Sequence, residues 1–116
     1  MFNYGDYEVK LACGSTDLRK SINGLCEIVM TSFNLEPRDK VLFGFCNARR
    51  NLVKILVWED NGFWIHLKRL ERGKVVWPEF LDSELTMELG IEDFYNLLRS
   101  PGISQKVKRK EVWKRP

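Results

Sequence analysis

The chain has 116 residues, of which 44% are apolar, 30% charged and 12% aromatic. This length and composition predict one globular domain with a core of its own and exclude a disordered chain. No apolar run approaches the roughly 20 residues that cross a bilayer, and the first residues, MFNYGDYEVK, lack the basic and apolar regions of a secretion signal. We therefore expect a cytoplasmic protein with no membrane partner.

The basic residues are concentrated towards the carboxyl terminus. The formal net charge is +3, and the last stretch, KVKRKEVWKRP, contains a single acidic residue. Terminal runs of like charge are usually solvated, and many meet nucleic acid. We expect a single α+β domain over residues 1–105 and a basic, flexible tail over residues 106–116, which either only solubilises the protein or binds an acidic partner.

The first predicted elements are a strand and a long helix. The stretch YEVKLAC, residues 7–13, alternates apolar and polar side chains as strands do. From Asp17 onward, apolar residues recur every three or four positions, which places them on one face of a helix. This stripe consists of Leu18, Ile22, Leu25, Val29 and Phe33. We expect the Thr16 hydroxyl to cap the helix and Asp17 to complement its dipole.

The rest of the chain predicts mainly strands. Three or four follow in close succession, at residues 41–46, 52–59, 63–70 and 74–78. Their connectors, NARRN, DNG and ERG, are short enough for hairpins. ELTMELG then predicts a short strand, and IEDFYNLLRSPG a short helix. The predicted fold class is α+β: an antiparallel β-meander of about five strands packed on one long N-terminal helix, with a short C-terminal helix.

The DNG connector determines which side chains share a face of its hairpin. A three-residue turn with Gly62 in the left-handed conformation pairs Val57 with Ile65 and gathers the aliphatic side chains on one face. The other face then carries a mixture of basic and aromatic side chains. These are Lys54, Leu56, Trp58, Trp64, His66 and Lys68.

Basic and aromatic side chains together are typical of surfaces that bind nucleic acid. The candidate nucleic-acid-binding residues are Arg19, Lys20, Arg49, Arg50, Lys54, Lys68, Arg69, Arg72 and Lys74. The candidate aromatic contacts are Trp58, Trp64 and Trp77. The alternative is that Trp58 and Trp64 pack against each other across the strands beneath the C-terminal segment and that the surrounding lysines only meet water.

No catalytic or metal-binding constellation is apparent in the sequence. The carboxylates fall in predicted turns or at helix ends. Metal-dependent cutting and joining of nucleic-acid chains needs two or three carboxylates that converge on the metal ions. His66 is the only histidine, and the three cysteines stand far apart in the sequence. We expect no enzymatic activity, no metal and no cofactor.

Two runs of the sequence closely resemble a known family. ACGSTDLRKSINGL and LFGFCNARRNLVKILVWEDNGFWIHLKRLERGKVVWP are similar to the accessory protein from the second reading frame of insertion sequence sixty-six type transposons. The similarity spans about residues 7–79, with departures at Leu18, Ser21 and Asn61. The positions that match the family pattern are Thr16, Asp17, Arg19, Lys20, Gly24, Asn47, Arg49, Lys54, Trp58, Gly62, Phe63, Lys68, Arg69, Leu70, Glu71, Gly73, Trp77 and Pro78.

The resemblance implies a bacterial accessory factor for DNA transposition that works beside the separate transposase of the same element. It implies no catalytic activity. Our leading hypothesis is a non-catalytic factor that contacts DNA through its basic and aromatic surface. The alternatives are a module that docks onto the transposase through its tryptophans without touching DNA, and an enzyme that acts on DNA ends.

Overall fold

The computed structural model describes residues 3–80 and 83–99. Within them, five strands form one mixed sheet in the order β4-β3-β2-β1-β5. The strands are β1 (Glu8–Ala12), β2 (Val41–Cys46), β3 (Leu52–Glu59), β4 (Gly62–Arg69) and β5 (Thr86–Leu89). The helices are α1 (Ile22–Glu27), which continues as a π-helical segment (Ile28–Ser32), and α2 (Ile91–Arg99). Neither is long and apolar enough to cross a membrane.

The predicted antiparallel meander is wrong. Strands β1 and β2 are parallel, and β5 pairs antiparallel with the other side of β1, so that β1 lies inside the sheet. The long connection between β1 and β2 contains α1 and crosses over the sheet, which allows the chain to enter β2 in the same direction. Residues 74–78, expected to form a strand, instead run across the sheet: the Val75 amide donates to the Arg50 carbonyl, and the Trp77 indole to the Ala12 carbonyl.

The long N-terminal helix is also absent. Helix α1 has six residues and begins at Ile22, not directly after Thr16. The Asp17 carboxylate accepts a hydrogen bond from the Arg19 amide, and the Lys20 amide donates to the Asp17 carbonyl, which closes a turn where the first helical turn was expected. Ser21 occupies the N-cap position without a side-chain hydrogen bond, so Thr16 is not the cap.

Each face of the sheet buries its own core. Helix α1 and the π-helical segment cover one face, which we call the α1 face; the predicted stripe packs there. Helix α2 and the segment after β4 cover the other, the α2 face, where Trp77 and Phe94 are fully buried. This two-sided coverage explains why all six residues of β2 are buried.

The β3–β4 hairpin has a different register from the predicted one. Glu59 pairs with Gly62, so the turn contains only Asp60 and Asn61, and Val57 pairs with Trp64. Asp60, not Gly62, has the left-handed φ, at 59°. The predicted register gathers the aliphatic side chains on one face of the hairpin. Both faces of the sheet are buried here, so this arrangement does not stabilise the fold more than the observed one.

Candidate nucleic-acid interface

One end of the sheet gathers the loops that carry the predicted basic residues. Strands β1 and β2 finish there, β3 begins there and β4 finishes there. Backbone hydrogen bonds tie the loops together: the Thr16 amide donates to the Cys46 carbonyl, and the Leu70 amide to the Asn51 carbonyl. We call this region, residues 13–20, 47–54 and 68–80, the basic end.

The three segments of the basic end contain all nine predicted basic residues. Among the described residues, the carboxylates in or beside it are fewer: Asp17, Glu71, Glu79 and Glu84. The opposite end of the sheet, which we call the acidic end, has the reverse balance. It carries the carboxylates Asp6, Glu8, Glu36, Asp39, Glu59, Asp60, Glu88, Glu92 and Asp93 and the cations Lys10, Arg38 and Lys40. The described part of the chain is therefore electrically polarised along its strands.

Two of the predicted cations are held by the fold itself. The Arg50 guanidinium donates to the Gly14 carbonyl at 2.9 Å and to the Glu79 carboxylate at 2.8 Å, and its side chain is only 15% exposed. The Lys68 ammonium donates to the Leu98 carbonyl at 2.9 Å, at the carboxyl end of α2. Both side chains therefore stabilise loop and helix positions.

The start of the α1 region carries a second group of cations. The Arg19 guanidinium donates three hydrogen bonds to the Asp17 carboxylate and lowers the pKa of that carboxyl group, while its side chain stays 91% exposed. The Lys54 ammonium donates to the Lys20 carbonyl at 3.0 Å, which joins β3 to this turn. Lys54 thus lies on the α1 face, whereas Lys68 lies on the α2 face.

The most accessible cations are in the turns. Arg49 is exposed in the β2–β3 turn, and Arg72 and Lys74 are exposed in the loop after β4. Arg69 is exposed too, and its guanidinium pairs with the Glu71 carboxylate at 2.9 Å. The β2–β3 turn is shaped by a residue that the sequence analysis did not interpret: the side-chain oxygen of Asn47 accepts from the Asn51 and Leu52 amides.

The three predicted tryptophans do not join this surface. Trp77 is 1% exposed and belongs to the core. Trp58 is half-buried, edge-on to Phe63 on the α1 face, whereas Trp64 is 46% exposed and stacks on His66 on the α2 face. Trp58 is four residues beyond Lys54 along β3, about 13 Å towards the acidic end. The single mixed basic and aromatic face predicted for the hairpin is therefore wrong.

Phe80 is an aromatic side chain that the sequence analysis missed at the basic end. It is 57% exposed and lies against Gly14, whose φ of 77° and missing side chain leave room for the ring. The only sequence feature that could have indicated this contact is the presence of an aromatic residue shortly after the Trp-Pro pair. Phe80 therefore offers one ring beside the exposed cations.

The described residues contain no group of three His, Cys, Asp or Glu side chains placed to hold a metal ion. Cys13, Cys26 and Cys46 are buried free thiols, and burial raises the pKa of each. These thiols are therefore in their unreactive protonated form at neutral pH. The expected absence of a metal and a cofactor stays a prediction.

The fold and the charges define a small mixed α/β domain with a basic end. A family model described as IS66 Orf2 like protein matches residues 7–108, so the chain belongs to this family of insertion-sequence proteins. This confirms the family resemblance of the sequence. No solved structure matches the chain.

Two similar proteins come from Sinorhizobium fredii (strain NBRC 101917 / NGR234), and both are described as uncharacterized. Protein y4jC is 30% identical over 108 residues, which cover 93% of this chain and 89% of y4jC. Protein y4hO is 36% identical over 70 residues, which cover 60% of this chain and 61% of y4hO. Their descriptions add no activity to the family assignment.

Proposed function

We propose that this protein is a non-catalytic accessory factor for transposition of its insertion sequence and that its basic end binds the DNA of the element. The family is associated with an insertion sequence, which supports a role in transposition. The observation that supports DNA binding is the charge separation along the strands, because a phosphate backbone is attracted to the basic end and repelled by the acidic end. The transposase of the same element is the expected protein partner.

Duplex DNA suits the basic end better than a single strand. Modules that bind single strands stack successive bases on several exposed rings. Within the described residues, the basic end offers the exposed ring of Phe80 beside the exposed cations Lys20, Arg49, Arg72 and Lys74. Such a surface contacts backbone phosphates and leaves the bases in their stack.

A salt titration with a labelled duplex from the element end tests DNA binding. If about six phosphates are contacted, the affinity falls about a thousandfold between roughly 50 and 200 mM salt. The variants Arg49→Gln and Arg72→Gln should each weaken binding and reduce the salt slope by about 1. Arg38→Gln, an exposed arginine at the acidic end, is the matched control and should have no effect. Absence of binding at the lowest salt concentration rules the proposal out.

The same titration with a single strand of equal sequence separates the two forms of DNA. We expect tighter binding of the duplex and little change on Phe80→Ala. Tighter binding of the single strand, together with a loss on Phe80→Ala, would show instead that the ring stacks on bases.

Docking onto the transposase without DNA contact is the second candidate, and the exposed side chains of Trp64 and Leu67 favour it. It predicts that the two proteins co-purify after nuclease treatment and that Trp64→Ala weakens the complex.

Incubation of the protein with labelled element ends and Mg²⁺ or Mn²⁺ tests the non-catalytic part of the proposal. Any cleavage or joining would contradict it.

A further inference from the structure

Strand β4 presents a long open edge. It has eight residues and pairs with β3 on one side; none of the strand pairings in the described part of the chain uses its other side. An open edge of this length is a template for another strand, and proteins usually protect such edges with charges. The six residues from Gly62 to Leu67 carry no formal charge, and Leu67 is 59% exposed.

The hairpin register shows which backbone groups are available for pairing. Glu59 and Gly62 close the two-residue turn, so Gly62, Trp64, His66 and Lys68 direct their amides and carbonyls towards β3. Their neighbours direct the same groups outward. The outward residues are Phe63, Ile65, Leu67 and Arg69.

The charges along β4 are arranged for antiparallel pairing with itself. The strand begins beside Glu59 and Asp60 and ends with Lys68 and Arg69. When two copies of the strand pair antiparallel, the basic end of each meets the acidic end of the other. Parallel pairing would bring like charges together.

We propose that β4 pairs antiparallel with β4 of a second copy of this chain, forming a two-fold symmetric dimer with a continuous ten-stranded sheet. This proposal does not depend on DNA binding. It rests on the open edge, its outward backbone groups and its charge complementarity.

The two faces of the sheet restrict the register of this pairing. Residues that lie opposite each other in an antiparallel pair have their side chains on the same face of the sheet. The outward residues alternate with the inward ones along β4 and therefore share one face, so each outward residue pairs with an outward residue of the partner. A two-fold axis at Ile65 pairs Ile65 with the partner's Ile65 and covers the exposed Leu67 with the partner's Phe63. Lys68 then lies opposite the partner's Gly62, which has no side chain to separate the ammonium from the partner's Glu59.

Sedimentation equilibrium of the full chain tests the dimer. We expect a dimer whose dissociation constant rises about tenfold or more in Leu67→Lys, because each dimer then holds two charges against apolar side chains. Met30→Lys changes a 49% exposed apolar residue in the π-helical segment, away from β4, and should leave the dimer intact. Circular dichroism should show an unchanged fold in both variants.

Disulfide trapping tests the register. In Ile65→Cys, the two introduced thiols face each other across the axis at a Cα separation of about 5.5 Å, which a disulfide spans. In Leu67→Cys, the two thiols are displaced by four residues along the strands, about 13 Å, and should cross-link slowly although they are more exposed. A monomer at all concentrations, or faster cross-linking of Leu67→Cys, overturns the proposal. A monomer that binds the transposase through β4 would identify the transposase as the occupant of the edge.

Discussion

Single residues in the sheet determine how closely its layers pack. Gly44, in the central strand β2, lies under the side chains of Leu11 and Trp77, and a β-carbon at this position would lie 2.7 Å from a Leu11 methyl carbon. The tryptophan is held over this position by its hydrogen bond to the Ala12 carbonyl. The absence of a side chain at position 44 is therefore part of the core packing.

We predict that Gly44→Ala lowers the free energy of unfolding by about 1–3 kcal/mol, because the new methyl group overpacks the core. Urea unfolding followed by tryptophan fluorescence measures this change. Gly62→Ala is the control, since nothing lies within 4 Å of the position of its added β-carbon. An equal effect of the two substitutions would contradict the packing argument.

A pH-dependent contribution to stability is expected at His66. Its ring nitrogen lies 3.0 Å from the Tyr4 hydroxyl, and burial lowers the pKa of the imidazole despite the nearby Glu59 carboxylate. Burial, with a contribution from Glu59, raises the pKa of Tyr4 to about 12, so the hydroxyl stays protonated.

Because the pKa of His66 is lower in the folded state, the unfolded state binds more protons just below pH 6.5. The free energy of unfolding should therefore fall as the pH decreases below about 6.5. In His66→Gln this slope should be smaller. The carboxylates with lowered pKa, Asp6, Asp17 and Glu36, lose their contribution only at lower pH. Urea unfolding at several pH values measures the slope, and an unchanged slope in His66→Gln would refute the assignment.

At the scale of elements, local hydrogen bonds decided where the first helix begins and how the hairpin turns. The turn at Asp17 competes with helix formation. The helical periodicity that starts at Leu18 therefore identifies the buried apolar side chains correctly but places the start of the helix too early. The β3–β4 turn depends on the left-handed conformation of Asp60. Asp tolerates this conformation better than most residues do, because its short side chain can hydrogen-bond locally.

We predict that Asp60→Val lowers the free energy of unfolding by about 1–2 kcal/mol, because a β-branched residue is strained at positive φ. Asn61→Val is the matched control at the neighbouring position, which does not have a positive φ, and should cost less. Thermal unfolding of the two variants measures the difference. If Asn61→Val were the more damaging substitution, the turn would differ from the one described.

At the scale of the whole molecule, the two proposals have a joint consequence. Antiparallel pairing of β4 places the basic ends of the two copies at opposite ends of the ten-stranded sheet. A dimer would therefore bind two duplexes that point away from each other.

Energy transfer between two differently labelled duplexes measures such bridging. The native protein should bring the labels together, whereas Leu67→Lys, which adds a cation beside Lys68, should bind DNA at least as tightly per chain and give no transfer. Transfer that persists in this variant would show that another surface joins the duplexes.

The sequence by itself determined the family, the short strand at residues 86–89, the C-terminal helix and the apolar stripe that packs on the sheet. These features depend on local periodicity, on turn residues and on motifs, which can be read along the chain. The sequence also identified the cations that the fold brings to one end. The basic tail predicted at residues 106–116 lies outside the described residues.

Only the tertiary structure decided which strands are neighbours, in which direction they run and which face each side chain occupies. Periodicity shows that a strand alternates, but the partner of a strand depends on distant residues that cover the sheet. Here α1 covers one face and α2 the other, so apolar residues at both odd and even positions of β3 are buried. For this reason Lys54 and Lys68, which were predicted to share a surface, lie on opposite faces, and Trp77 lies in the core.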